Sequence, residues 1–230
     1  MKRTYSPSEC RRVTAFTLIE LLVVIAIIGI LAALVFPVVG VVNRNKQLSL
    51  AKAQLQSIQQ AIESYHTKLG FYPPDNTNNV VTNQLYFELM GTTNDGIMQV
   101  ARNYVTLDGS AAATTVQLNQ YFGTRGVANS STRKQSDDQG SAATPFLTHL
   151  LPNQVGQLDK ANAPQMLILV CPVAWPSGLT PVIPGTTLNP WRYSSSNPTN
   201  NTGSYDLWVD LVIKGKTNRV CNWSPNPIVL

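Results

Sequence analysis

The feature that most constrains this chain is a charge-free run of 22 residues from Leu21 to Val42. As a helix rising about 1.5 Å per residue, the run would reach roughly 33 Å, which is enough for a hydrocarbon core of about 30 Å. Glu20 stands immediately before the run, and an unpaired carboxylate that enters a bilayer costs on the order of 2–3 kcal/mol. The sequence therefore predicts a membrane helix whose first carboxylate needs a partner.

A short polar leader, residues 1–15, precedes this segment and carries four positive charges against Glu9. Positive residues before a span hold that side of the membrane in the cytoplasm, so we expect the chain beyond Val42 to lie outside it. A secretory signal peptide has an apolar core of about 7–15 residues with its small-residue cleavage site behind it. Here the apolar run is longer and the small residue, Ala15, precedes it. A cut after Ala15 would therefore remove the leader and keep the helix.

The formal charge of the chain, +5, belongs largely to the leader. Removing residues 1–15 leaves 13 positive against 11 negative residues, or +2. The remaining positive residues form no cluster, so we expect no nucleic-acid partner. Charged residues are only 13% of the chain, and a surface rich in neutral polar residues suits an extracytoplasmic domain.

Two of the three cysteines lie beyond the predicted membrane helix. Cys10 leaves with the leader, whereas Cys171 and Cys221 remain as an even pair. Disulfides persist outside the cytosol, so we predict a bond between Cys171 and Cys221. The alternative is two buried thiols without a bond.

Helical periodicity continues beyond the apolar run as an amphipathic stripe. Gly70 suits a C-terminal cap, and Pro73 forbids continuation. We therefore predict one helix from Phe16 to Leu69, bent or locally melted at Pro37 and Gly40. The stripe fits a parallel coiled coil or packing on the chain's own following domain, and about three heptads are few for the former. Its apolar residues recur at spacings of three and four and are Leu48, Ala51, Leu55, Ile58, Ile62, Tyr65 and Leu69.

The remaining residues, 71–230, are of ordinary length for a single domain. Signals between Gly91 and Lys160 are weak, whereas strand patterns are clear towards the C-terminus. A long helix followed by a small antiparallel sheet that covers it is an α+β layout. The predicted elements are a helix at 83–90, an exposed or disordered loop at 130–140, a helical turn at 144–151, and strands at 165–174, 205–213 and 218–223.

No catalytic signature is found in the sequence, and we expect that the protein is not an enzyme. Neither His66 nor His149 has a histidine or cysteine at metal-ligand spacing. There is no nucleophile elbow, phosphate-binding loop or dinucleotide fingerprint. The tryptophans could form a glycan-binding or adhesive face, although tryptophans more often anchor the core of a small domain; they are Trp175, Trp191, Trp208 and Trp223.

About 25 contiguous residues resemble the leader of type IV pilins and type II secretion pseudopilins. The matching residues are Arg11-Arg12, Ala15, Phe16-Thr17-Leu18-Ile19-Glu20, Gly29 and Pro37. The family mostly has glycine where this chain has Ala15. The resemblance implies cleavage between Ala15 and Phe16 by a prepilin peptidase, and methylation of the new amine on Phe16. It also implies that Glu20 pairs with the amine of a neighbouring subunit in a filament.

A second stretch resembles the major pseudopilin group. The group's turn after the long helix is similar to Leu69-Gly70-Phe71-Tyr72-Pro73. Its later loop and strand are similar to Asn189-Pro190-Trp191-Arg192-Tyr193 and Tyr205-Asp206-Leu207-Trp208. Asn189 and Arg192 replace an aspartate and a glycine of the group. In that group the intervening loop often binds calcium, so the resemblance implies a calcium site with Asp206 and Asp210 as candidate ligands. The alternative is that both form the solvated face of an edge strand.

The resemblance implies a pilin-like fold, with the first half of the long helix protruding and the second half covered by the sheet. The expected parts are a leader at 1–15, a transmembrane and assembly helix at 16–42, its amphipathic continuation at 43–70, and an extracytoplasmic α+β domain at 71–230.

The function expected first is that of a subunit of a type II secretion pseudopilus at the bacterial inner membrane. The implied partners are the prepilin peptidase, further copies of the chain, other pseudopilins and an inner-membrane assembly platform. A surface type IV pilus subunit and a monomeric, membrane-anchored binding module are the alternatives.

Overall fold

A computed structural model of the chain describes residues 17–96, 102–132, 142–158 and 166–230, except for the side chains of residues 34–41. The chain divides into two compact units, residues 1–45 and residues 46–230. The long helix α1, Leu18–Leu69, contributes residues to both units.

Helix α1 begins two residues later than predicted and ends where the sequence indicated. The helical assignment is continuous through Pro37 and Gly40, so the helix is not locally melted there. At its end, Gly70 adopts a φ of +83° and its N–H donates to the carbonyl oxygen of His66 at 2.8 Å. A left-handed glycine of this kind ends a helix without the steric penalty that a Cβ would bring.

The amphipathic stripe of α1 is part of the core of the second unit. Its residues share one hydrophobic cluster with Leu207, Val209 and Leu211 from the C-terminal part of the chain. Fully burying one such aliphatic side chain stabilises the fold by about 1.5–3 kcal/mol. The stripe therefore packs on the chain's own domain, which the sequence analysis favoured over a coiled coil. The buried residues of the stripe are Leu48, Ala51, Leu55, Ile58, Ile62 and Tyr65.

The first part of the domain combines two short helices with a four-stranded sheet. The helices are α2, Leu85–Met90, and α3, Thr115–Phe122. The strand order is β3-β2-β1-β4, in which β1 pairs with β4 in parallel and the other neighbours are antiparallel. The strands are β1, Thr92–Asn94; β2, Asn103–Thr106; β3, Ala112–Thr114; and β4, Ser130–Thr132.

One prediction for this part of the chain is wrong, and another is contradicted at its first three residues and otherwise untested. The predicted loop at 130–140 begins with strand β4, and its residues from 133 lie outside the described part. The predicted helical turn at 144–151 is not helical; a single 3-10 turn follows it at Pro152–Gln154. The N–H groups of Phe146 and Leu147 both donate to the carbonyl oxygen of Leu89. The backbone of this segment is thus satisfied by the end of α2 instead of by a helix of its own.

The C-terminal part holds two antiparallel sheets. One pairs β5, Val155–Gln157, with β6, Leu167–Leu169. In the other, the strand order is β10-β9-β8-β7. Its strands are β7, Arg192–Ser194; β8, Asp206–Ile213; β9, Lys216–Cys221; and β10, Ile228–Val229.

Strand β8 is the centre of the second sheet. Its residues Leu207, Val209, Leu211 and Ile213 are buried on one face, as the period-two pattern predicted. A two-residue turn, Lys214-Gly215, joins it to β9 with positive φ at both positions, the conformation of a type I′ hairpin. The chain thus has a pilin-like α+β fold, in which a long N-terminal helix precedes mixed helices and largely antiparallel sheets.

Candidate functional site

Thr17 and Glu20 form a capping box at the N-terminus of α1. The backbone N–H and the hydroxyl of Thr17 donate to Oε2 of Glu20 at 2.9 and 2.6 Å. The N–H of Glu20 donates in turn to Oγ1 of Thr17 at 3.3 Å. This arrangement satisfies free N–H groups at the helix start and places a negative charge at the positive end of the helix dipole. The predicted cleavage site, Ala15 and Phe16, lies outside the described residues.

Apolar side chains on the helix beyond Glu20 are exposed. Leu18 is 81% exposed and Ile30 is 64% exposed. Each such side chain would contribute about 1.5–3 kcal/mol if it were fully buried, so this surface strongly favours contact with other apolar groups. The predicted span at 21–42 includes residues 34–41, whose side chains lie outside the described part.

Among the residues that the structure describes, no helix has both the length and the apolar character needed to cross a membrane.

The candidate calcium ligand Asp206 is surrounded by hydrogen-bond donors. Its Oδ2 accepts the N–H groups of Thr199 and Asn200 at 2.8 and 2.9 Å, and its Oδ1 accepts the N–H of Asn201 at 2.9 Å. The Thr199 hydroxyl and the Asn200 amide also donate to Oδ2. Burial raises the pKa of Asp206, but the hydrogen bonds outweigh burial and lower this pKa below its usual value. Asp206 is therefore the acceptor at the centre of a tight loop.

The other candidate ligand, Asp210, forms a two-pronged ion pair with Arg219. Nε and Nη2 of Arg219 lie 2.7 and 2.9 Å from the two carboxylate oxygens. Both Asp206 and Asp210 are buried, and β8 has a paired strand on each side, so the solvated edge-strand interpretation is wrong. No group of three or more metal-ligating side chains occurs in the described ranges. The calcium site implied by the resemblance does not fit these carboxylates, because their oxygens already face donors.

Cys171 and Cys221 are both buried and both free. The predicted disulfide is therefore absent from the structure. Cys171 lies in the segment after β6, and its N–H donates to the carbonyl oxygen of Asn189, whereas Cys221 ends β9 opposite Trp208. The alternative of two buried thiols is the arrangement found.

The tryptophans do not share one face. Trp191 is 1% exposed and belongs to the core. Trp208 and Trp223 meet edge to face with ring centroids 5.7 Å apart, and the indole N–H of Trp175 donates to the carbonyl oxygen of Thr180. An open hollow of about 370 Å³ lies beside Trp223 and is lined on its helix side by Lys52, Leu55, Gln56 and Gln59.

Sequence reasoning missed two buried carboxylates. Asp75 follows the Pro-Pro turn and accepts the N–H groups of Ser195 and Ser196 at 2.9 and 3.2 Å. Glu88 on α2 is fully buried. A Pro-Pro-Asp turn is a local signal for the first, because aspartate after a turn commonly accepts backbone N–H groups. Nothing local marks the second, because two of its donors are backbone N–H groups about 40 residues further along the chain.

Comparison with known proteins places the similarity at the N-terminus. Residues 10–36 match the family described as the prokaryotic N-terminal methylation motif. The type IV major pilin protein PilE of Neisseria gonorrhoeae is 41% identical over 63 residues, which are 27% of this chain and 38% of the pilin. The type II secretion system core protein G of Pseudomonas aeruginosa is 40% identical over 63 residues, 27% of this chain and 44% of that protein.

The similarity covers only part of each relative. A fimbrial protein of Eikenella corrodens, EcpC, is 43% identical over 61 residues, 26% of this chain and 40% of its own length. The chain thus spans about two fifths of the length of the curated relatives it matches. No solved structure is significantly similar. In its N-terminal part, the chain is similar to type IV pilins and to a type II secretion system core protein, and residues 10–36 match the prokaryotic N-terminal methylation motif.

Proposed function

We propose that this protein is a structural subunit of a type II secretion pseudopilus that supports protein export. A prepilin peptidase cuts between Ala15 and Phe16, and the new amine on Phe16 is methylated. The processed subunits then assemble into a helical filament. The observation that carries this proposal is the exposed Glu20 carboxylate at the N-terminus of a helix with an exposed apolar surface.

The position of Glu20 suits an inter-subunit contact. The cut creates a cation four residues before Glu20, and the capping box with Thr17 already holds the carboxylate beside the start of the helix. In a stack of copies, the Phe16 amine of one subunit would meet Glu20 of its neighbour. Pairing would offset the cost of placing both charges among apolar groups and would set the axial register.

The exposed apolar residues support helix-to-helix packing in the filament. Apart from the nearby backbone of its own helix, no heavy atom lies within 4 Å of the position that a Cβ on Gly29 would occupy, so its surface is open to close approach. Ala32 and Ala33 are exposed as well. Small residues on a helix surface let two backbones come close together, and many weak dispersion contacts then add up.

Before assembly, we propose that the subunit lies in the bacterial inner membrane. The apolar run from Leu21 to Val42 crosses it once, with the positive leader in the cytoplasm and residues 43–230 in the periplasm. An inner-membrane assembly platform would extract the helix into the growing filament. The role is structural and not catalytic.

A surface type IV pilus subunit is the second candidate. It is favoured by the gonococcal major pilin, whose identity to this chain equals that of the secretion protein within one percentage point. A membrane-anchored binding module is a third candidate, which rests on the hollow beside Trp223.

Replacing Glu20 with alanine tests the assembly role. The expected result is a subunit that is processed and present in the membrane at wild-type level, with loss of filaments and of exported protein. Glu63→Ala is the matched control, because Glu63 is an exposed carboxylate on the same helix beyond the apolar run. Wild-type function in the Glu20→Ala strain would exclude assembly through this carboxylate.

Two further measurements separate the candidates. A pseudopilus subunit predicts that deleting the gene removes proteins from the medium and leaves surface filaments intact, whereas a pilus subunit predicts the reverse. A binding module predicts neither loss. The mass of the mature N-terminus checks processing independently, since the proposal requires a chain that starts at methylated Phe16.

A further inference from the structure

We infer that the loop between β7 and β8 is held in this protein by two carboxylates that accept hydrogen bonds, and that it takes no calcium. Asp75 and Asp206 form these two clasps. Related major pseudopilins often bind calcium in the corresponding loop, so this chain would order the same region by different chemistry. The inference applies equally to a secretion subunit and to a surface pilin.

The first clasp closes the loop on itself. Five donors from Thr199, Asn200 and Asn201 converge on the Asp206 carboxylate, three of them backbone N–H groups within 2.9 Å. A carboxylate offers about four lone-pair sites. Four of the donors crowd Oδ2 and the fifth takes Oδ1, so at most one site is left open. A calcium ion would need the same lone pairs, and the positive ends of the N–H dipoles point to where the ion would sit.

The second clasp ties the loop to the segment that follows α1. Asp75 accepts the N–H groups of Ser195 and Ser196, and the Ser196 hydroxyl lies 2.7 and 2.8 Å from its two oxygens. Next to it, the hydroxyls of Tyr193 and Ser195 both donate to the carbonyl oxygen of Pro73 at 2.9 and 2.8 Å. Asp75 is thus committed to donors from the start of the loop, and the loop is anchored at both ends.

The third carboxylate of the region is also engaged. Asp210 accepts two hydrogen bonds from Arg219. The Arg192 guanidinium on the neighbouring strand also lies near Asp210, which raises the pKa of Arg192. Burial and the charge of Arg219 outweigh this effect, so the pKa of Arg192 is lower than usual. Two guanidinium groups near one carboxylate repel a divalent cation. Calcium takes six to eight oxygen ligands, with carboxylates supplying most of the affinity, and each of these three carboxylates already faces donors.

The test is a thermal melt of the full chain in detergent, with millimolar CaCl₂ or with EGTA. A calcium site filled at a hundred times its Kd would raise Tm by about 5–10 °C in a domain of this size. We expect no difference beyond about 1 °C, and no binding heat when CaCl₂ is titrated into the EGTA-stripped protein. A calcium-dependent rise in Tm would overturn the inference, and this measurement needs no variant.

Asp206→Asn tests the clasp itself. The amide nitrogen of the new asparagine would replace an accepting oxygen and would face N–H groups that need an acceptor. Tm should therefore fall by several degrees, equally in CaCl₂ and in EGTA. Asp108→Asn is the matched control, because Asp108 is exposed and receives hydrogen bonds from Ser110 and Thr106, both within two residues of it. A wild-type Tm for Asp206→Asn would overturn the inference, as would a calcium effect on the native chain that this substitution abolishes.

Discussion

The hydroxyl of Tyr65 on α1 donates a 2.9 Å hydrogen bond to Oε2 of Glu88, a fully buried carboxylate on α2. The same carboxylate accepts the Gln84 amide and the N–H groups of Ala128 and Asn129 at 2.8–2.9 Å. One side chain thus joins the long helix, the short helix and the segment leading into β4. Glu88 thus accepts from four donors, and within the described part of the chain no cation is bonded to it. Hydrogen bonds alone therefore stabilise the Glu88 carboxylate.

Because of Glu88, stability should fall as the pH rises from about 4.5 to about 7. Burial raises the pKa of Glu88 to about 7, and the hydrogen bonds from Ala128, Asn129 and Tyr65 only partly oppose it. Below about pH 4.5 the group is neutral in both folded and unfolded chains. Between that pH and 7 only the unfolded chain releases the proton, so the free energy of unfolding decreases by up to about 1.4 kcal/mol per pH unit.

The measurement is urea unfolding of the native chain and of Glu88→Gln at pH 5 and pH 8. The native chain should lose about 2 kcal/mol more than the variant over this interval, because glutamine does not titrate. Asp206 does not interfere, since its pKa lies below the usual aspartate range and this group loses stability only in stronger acid. Parallel losses in the two proteins would contradict a raised pKa of Glu88.

Tyr65→Phe should destabilise the domain by about 1.5–3 kcal/mol, the range for a hydrogen bond to a charged group that leaves a buried partner short of a donor. Tyr86→Phe is a suitable control, because the Tyr86 hydroxyl pairs at 2.7 Å with Ser110, which is exposed and can bond to water instead. Urea unfolding at pH 8 compares the two variants. Equal losses would show that the Glu88 contact has no special weight.

The sequence predicted the structure best where the apolar pattern lies within a single helix or strand. The stripe on α1 and the alternation in β8 were both predicted, because a helix face and a strand face repeat at fixed intervals. The Glu88 contact was invisible for the opposite reason: α2 shows Leu85, Phe87 and Leu89 as its apolar residues, and the donors that cover Glu88 come from residues 128 and 129.

The candidate metal residues failed for a similar reason. Strand β7 is only three residues long, and its pairing with β8 turned a supposed edge strand into a central one. Three of the five donors for Asp206 are backbone N–H groups, those of Thr199, Asn200 and Asn201, and no residue type announces where such groups point. Residue types indicated the place of a polar loop, but only the backbone path determines whether oxygens or N–H groups face the carboxylate.

The packing of α1 on the domain can be measured at Ile58. This side chain is fully buried in the middle of the stripe, so Ile58→Ala should cost about 2–5 kcal/mol. Gln60→Ala, at an exposed position of the same helix, should change the free energy of unfolding by less than about 0.5 kcal/mol. If both substitutions had the same small effect by urea unfolding, the stripe would not be part of the core.

The two thiols of the domain should remain unpaired and react slowly. Burial raises the pKa of Cys171 to about 11, and it also raises the pKa of Cys221, so the reactive thiolate is scarce at neutral pH. In a Cys10→Ser chain purified without reductant, a disulfide-exchange reagent should label neither cysteine quickly in the folded state. After unfolding in urea, it should count two thiols per chain, whereas a count of two that appears only after reduction would reveal a disulfide between Cys171 and Cys221.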